Sequence, residues 1–241
     1  MSKQSLKDKS RDKWNFSTHG QGGGMMKNMM LDAQVTPNGL KDRMLLLSAL
    51  DIILSPEDWL RTYRMQSEWS GDVCLGEVNN GAGDTIHMLW TRGGMLLKGF
   101  DHESPVSPHA RDEYEVWPGM YDGVPDDMME LLEDEALEKE DVTFCMWREA
   151  GDEEWRMGNA NFPEGYDDGS SFLLGKIIVT PEEYQDWAES YYELPISLGV
   201  VNQIFNGVPI TAQMISALHP QRNVTEAIKE LKQLGVQVHE S

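Results

Sequence analysis

Three short β-prone runs follow one another between Val73 and Phe100, and the gaps between them are rich in Asn and Gly. Residues 73–78, 85–91 and 95–100 are separated by Asn79-Asn80-Gly81-Ala82-Gly83-Asp84 and by Arg92-Gly93-Gly94. Such connections are hairpin loops, so the runs read as an antiparallel meander. A further hairpin is expected from residues 141–148 and 154–157 around Ala150-Gly151-Asp152. In its first strand Val142, Phe144 and Met146 face one side and Thr143, Cys145 and Trp147 the other. Both sides are substantially apolar, which suits a central strand covered by helices.

Helical signals flank the meander. Residues 40–54 are apolar on most sides and read as a buried helix. A second helix is expected from Ser55 as N-cap, Pro56 at N1 and Asp58 at N3, with Trp59, Leu60 and Tyr63 facing inward. Thr180-Pro181-Glu182-Glu183 is a capping box, followed by Tyr184, Trp187, Ala188, Tyr191 and Tyr192 on one helical face. Pro195 stops that helix, and residues 196–205, 211–218 and 224–234 continue in kind, with Gly235 suited to a C-terminal cap. The expected class is α+β: an antiparallel meander sheet flanked by helices, with a helical C-terminal part over about residues 180–235. Residues 1–38 read as a basic, glycine-containing flexible tail, and residues 39–241 as a single domain.

Charge narrows the partners. Residues 101–169 hold 22 Asp and Glu against 4 Lys and Arg, which is −18 of the chain's −21. A field of this kind repels nucleic acid and anionic lipid and attracts basic proteins. With 40% hydrophobic residues the chain still has ample material for a core. Cys74 and Cys145 lie in strand-like apolar runs and read as core thiols of a reducing compartment. The longest apolar stretch, residues 44–54, is interrupted by Ser48 and Asp51 and is too short to span a bilayer. The early bases are followed by Trp14-Asn15-Phe16-Ser17 and a glycine run instead of an apolar signal core. A cytoplasmic protein is expected.

One segment has the composition of a chemical site. Asp101, His102, Glu103 and Ser104 stand where a strand gives way to a Pro-rich connection. Together such groups orient a base, bind a divalent cation or activate a hydroxyl. The usual zinc spacings H-E-x-x-H and C-x-x-C are absent, as is a G-x-S-x-G elbow, so no metal and no cofactor is assigned. His87 and His109 are further candidates that nothing in their spacing requires. The structural alternative is that Asp101 and Ser104 cap a loop while His102 fills a polar pocket. Trp117 and Tyr121 stand in a Gly-containing turn, as interface anchors if exposed and as loop staples if buried. Residues 159–169 hold Glu164, Asp167 and Asp168 without the ligand pattern of a calcium loop, and read as solvated.

The run from Gly99 to Pro108, G-F-D-H-E-S-P-V-S-P, resembles a block found in a widespread family of uncharacterised bacterial proteins. Trp117-Pro118-Gly119 with Asp122-Gly123-Val124-Pro125, Thr143-Phe144-Cys145-Met146-Trp147-Arg148 and Tyr191-Tyr192-Glu193 resemble the same family. The resemblance implies a bacterial context and no particular activity. A fainter analogy in architecture and acidity is with toxin-immunity proteins of the SUKH-like superfamily, and fold-level analogy alone does not establish function. The leading expectation is an acidic binding protein, of the immunity or inhibitor type, that neutralises a basic partner. Asp112, Glu113, Glu115, Asp126, Asp127 and Glu130 would carry the contact beside Trp117 and Tyr121. One alternative is a metal-dependent or acid/base hydrolase centred on Asp101, His102 and Glu103. Another is an adaptor that docks helices on the Tyr184 to Tyr192 face.

Overall fold

The computed structural model describes residue 31 and residues 33–239. The chain is α+β, with seven α-helices among the described residues and a six-stranded antiparallel sheet whose strands lie in chain order. The strands are β1 (Tyr63–Ser70), β2 (Val73–Asn79), β3 (Thr85–Trp90), β4 (Gly94–Phe100), β5 (Phe144–Glu149) and β6 (Arg156–Met157). The helices are α1 (Pro37–Leu54), α2 (Asp126–Leu131), α3 (Ser170–Gly175), α4 (Pro181–Tyr192), α5 (Leu198–Phe205), α6 (Ala212–Leu218) and α7 (Val224–Leu234). A short parallel pair, β7 (Ile210–Thr211) with β8 (Val238–His239), joins the C-terminal helices and has no signal in the sequence pattern. Contacts divide the described chain into two compact units, one of Gln66–Gly175 with residues up to 41, the other of Asp42–Met65 with residues 176–239. Most of the segment read as a tail lies outside the described residues.

In the first unit the meander forms as its turns dictate, and β3 is buried along its whole length. The register aligns Leu75, Leu89, Leu96 and Trp147 in one cross-strand row. Two residues further along the strands, Glu77, His87, Lys98 and Cys145 form a second row on the same face. The chain leaves β4 at Phe100 and returns at Phe144, and the connection between them folds over this face. Val106, Met120, Val124, Met128, Leu132, Leu137 and Val142 pack against Leu75, Leu89, Leu96, Cys145 and Trp147. Each fully buried aliphatic side chain in such a layer stabilises by about 1.5–3 kcal/mol. The acid-rich stretch is therefore an amphipathic cover. Met128 and Leu132 point in, while Asp126, Asp127, Glu130 and Glu133 remain exposed. Phe144 to Trp147 of β5 are buried, as both apolar faces require, but the Trp147 face is covered mainly by this irregular connection with the short α2. Cys74 and Cys145 are buried free thiols. Trp90 Nε1 donates to Pro37 O at 2.8 Å and Trp155 Nε1 to Val35 O at 2.7 Å, which ties residues 35–37 to this unit.

The second unit contains most of α1, with Met44, Leu47, Leu50 and Ile53 fully buried. The helix expected from Ser55 does not form. Only a single 3₁₀ turn, Asp58–Leu60, is present, and Trp59 is 67% exposed instead of facing inward. The cause is Asp51, a fully buried carboxylate whose Oδ2 accepts the backbone N–H of Thr62 at 2.8 Å and of Tyr63 at 2.9 Å. Those two amides cannot also serve a helix, and the chain enters β1 instead. Ser55 Oγ donates to Glu57 O and does not act as an N-cap acceptor. The capping box on α4 forms as read, Thr180 Oγ1 accepting from Glu183 N and Glu183 Oε2 from Thr180 N. Its aromatic face packs within the unit, Tyr184 against Tyr63 and Phe205 and Trp187 against Tyr63. Asn223 caps α7, and Gly235 closes it at φ +91°. No helix among the described residues is long and apolar enough to cross a membrane.

Candidate functional site

Asp101 and His102 are brought together at the end of β4, and the partner that completes them is Asp84, the last residue of the β2–β3 hairpin loop. Asp84 Oδ1 lies 2.6 Å from His102 Nδ1 and accepts the backbone N–H of His102 at 3.2 Å. Its other oxygen, Oδ2, accepts from Asn80 Nδ2 at 2.5 Å. Asp101 Oδ1 accepts the N–H of Glu103 at 3.0 Å, which shapes the turn that follows the strand. Asp84 and Asp101 are almost wholly buried, whereas the His102 side chain is 41% exposed. With Nδ1 turned to the carboxylate, Nε2 faces outward, 3.9 Å from Glu103 Oε1. One donor atom from each of Asp84, Asp101 and His102 falls within a 4.8 Å circle, the arrangement of residue types that holds a divalent cation.

Ser104 is not part of this group. Its hydroxyl donates to Asp167 O at 2.6 Å and accepts from Val106 N at 3.0 Å, so it stitches two loops together. His87 and His109 also lie elsewhere. His87 is buried beside Lys98 in the cross-strand row, its imidazole pushed down to about 3 by burial and then by the Lys98 charge. His109 Nε2 stands 2.7 Å from Asp141 Oδ1. The loop at 159–169, read as solvated, is so only in part. Glu164 and Asp167 are exposed, but Asp168 is fully buried, with Oδ1 accepting from Ser170 N and Oδ2 without a hydrogen-bond partner among the described residues. Burial raises the Asp168 carboxyl above its usual range.

The second feature is the outer face of the cover. Asp112, Glu113, Glu115, Asp126, Asp127 and Glu130 are all exposed, with Glu115 held by Arg111 at 2.7 Å. Trp117 and Tyr121 are half-buried and act as staples. The Trp117 ring packs edge-on to Phe162 and Tyr166 under the Arg111 guanidinium, and Tyr121 donates to Lys139 O at 2.5 Å. The denser carboxylate grouping lies further along than the sequence reading placed it. An open cavity of about 390 Å³ is lined by Glu133, Asp134, Glu135, Glu138, Glu140 and Asp141, together with Tyr114, Leu132 and Lys139. Its one cation, Lys139, is ion-paired with Glu133. Tyr114 is 56% exposed and donates to Asp141 Oδ1 at 3.0 Å. The density of Glu and Asp from Glu133 to Asp141 was visible in the chain. Its folding into a cavity wall was not.

Beneath that wall lies Lys98, fully buried, its Nζ donating to Glu138 O at 2.6 Å and Asp141 O at 2.7 Å. Burial lowers this amine to about 8, against the opposing pull of the Asp141 and Glu138 charges. The lysine thus pins the turn that carries the cavity's carboxylates. No protein-family model, curated protein or solved structure matches the chain.

Proposed function

We propose that this protein is an acidic binder of a basic protein partner, acting in the manner of an immunity or inhibitor protein. The observation that carries the reading is the division of labour within residues 101–143. Apolar side chains turn inward against the sheet, and carboxylates are left facing solvent around a cavity of matching charge. Apolar anchoring fixes these carboxylates without neutralising them, so a cationic surface meets a preorganised array. The exposed Tyr114 in its lining suits a lysine or arginine side chain, whose cation also interacts with an aromatic face.

The test is capture of partners from the native host at low salt and at about 150 mM salt, in parallel with the triple variant Glu133→Lys, Glu135→Lys, Glu138→Lys. The expected result is one basic protein in stoichiometric amount, shed as salt rises and absent with the variant. Equal recovery by wild type and variant, or no basic protein at either salt, rejects the reading.

A second reading, an acid/base hydrolase, draws on the buried Asp84 carboxylate that orients His102. A carboxylate on Nδ1 is how an imidazole is held in the tautomer that leaves Nε2 as the base. Hydrolysis of a panel of ester and phosphoester substrates that disappears in His102→Ala, with folding intact, would favour it over the binder.

A further inference from the structure

We propose that Asp84, Asp101 and His102 form a binding site for a divalent transition metal, with Zn²⁺ as the best match, entered from the exposed side of His102. The donors are two carboxylate oxygens and one imidazole nitrogen, gathered within 4.8 Å of one another from a hairpin loop and a strand end. Two oxygens and a nitrogen on three protein residues, with one side open to solvent, suit zinc better than calcium, which takes six to eight oxygen ligands. The two carboxylates are 4% and 3% exposed, so they are held in position by the fold and are not swept about by solvent.

A second observation comes from the neighbouring loop. Gly169 adopts φ +77° and lies so close to Asp101 that a Cβ there would stand 2.4 Å from Asp101 Cβ and 2.6 Å from its Oδ2. The residue before it is Asp168, fully buried, with the oxygen that no described residue satisfies. Asp84 and Asp101 are themselves two buried carboxylates that offer oxygens within 4.8 Å of one another, and burying carboxylate charge is costly unless a cation compensates it.

The geometry also fixes how the metal would enter. At 2.6 Å, His102 Nδ1 and Asp84 Oδ1 share a proton in a hydrogen bond. Ligand bonds of about 2.0–2.2 Å at tetrahedral angles need donors roughly 3.3–3.5 Å apart, so the ion takes the place of that hydrogen bond, the imidazole proton passing to Nε2, and the two atoms move outward.

The experiment is calorimetric titration of Zn²⁺ into the chelator-treated full-length chain, for wild type, His102→Ala, Asp84→Asn and the control His109→Ala. Circular dichroism is recorded on each variant. One equivalent per chain is expected in wild type and in His109→Ala. A loss of affinity on the order of tenfold or more is expected in His102→Ala and Asp84→Asn, as removal of a ligand exceeds loss of a supporting contact. Should Asp84→Asn fail to fold, the comparison of His102→Ala with wild type decides alone, since that side chain is substantially exposed. Absence of binding in wild type, or equal affinity in His102→Ala, overturns the proposal.

Discussion

Replacing Asp51 by Asn should make the protein more stable at neutral pH and abolish one component of its pH dependence. Asp51 lies inside α1, fully buried, and accepts from Thr62 N, Tyr63 N and, at 3.3 Å, Tyr184 Oη. Burial raises its carboxyl from 3.8 to about 7, although the hydrogen bonds from Tyr63 and Thr62 pull the other way. A carboxyl raised on folding takes up a proton as the chain folds. Its contribution is fully present below the unfolded value and is lost as pH rises to the folded one. A shift of roughly three pK units at 1.36 kcal/mol each amounts to about 4 kcal/mol lost between about pH 4 and pH 7. The carboxamide of Asn mimics the protonated acid: its oxygen still accepts from Thr62 and Tyr63, and its NH₂ donates to Tyr184 Oη. Urea unfolding followed by circular dichroism from about pH 4 to pH 8 should show the wild-type midpoint falling relative to Asp51→Asn by roughly 1–2 M. Parallel curves for the two proteins across that window would show that the buried carboxylate is compensated, and the reasoning would be wrong.

Lys98→Met tests the pin beneath the cover. In wild type the folded amine discharges near 8 while the unfolded one stays charged to about 10.5, so stability rises by about 3 kcal/mol across that window. The variant should lose this rise in unfolding measurements and expose the cover to proteolysis between Glu133 and Asp141; an unchanged rise refutes the assignment. Arg222→Ala removes a fully buried guanidinium that donates to Ile52 O and pairs with Glu230, which Arg61 also holds at 2.6 Å. A loss of about 3 kcal/mol is expected by urea denaturation, and less than about 1 kcal/mol would mean that Arg61 suffices. Gly169→Ala sets a Cβ at φ +77° into contact with Asp101, and should cost about 2 kcal/mol or more of stability in the same assay; a neutral result would show the loop free to withdraw.

The elements legible in the sequence were those whose signals are local. Alternation, Asn- and Gly-rich loops, a capping box and a C-terminal glycine act within a few residues, and β2 to β5, α4 and α7 formed where those signals stood. The helix after Ser55 failed because its N-terminal signal was overridden by Asp51, a residue read only as an interruption of an apolar run. Nothing local shows that this carboxylate is buried or that it reaches amides eleven and twelve residues away. The candidate site divides the same way. Asp101 and His102 were visible as a dense polar run, but Asp84 lies 18 residues from His102 and meets it only because β3 and β4 pair at Thr85 and Phe100. Lys98 was hidden for the converse reason, since a lysine in a strand ordinarily reads as its solvent side.

The cover combines two tendencies that oppose each other. Its exposed carboxylates repel one another, and an acidic chain segment without apolar content would remain extended. Here the apolar residues that punctuate it are anchored on the Leu75, Leu89, Leu96 and Trp147 row, and the Lys98 ammonium donates to two carbonyls of the most acidic turn. The ammonium places positive charge beneath the carboxylates while leaving their side chains directed outward. Among the described residues, Lys139 pairs with Glu133 and Arg111 with Glu115. The remaining repulsion is borne by the folded state, so any cation that settles among Glu135, Glu138 and Glu140 relieves strain as well as making contacts. Stability of the cover and affinity for a basic partner are then linked. Raising salt should stabilise the isolated protein by screening the self-repulsion, while weakening the complex by screening the attraction, and opposite salt slopes in the two measurements are the signature of that linkage.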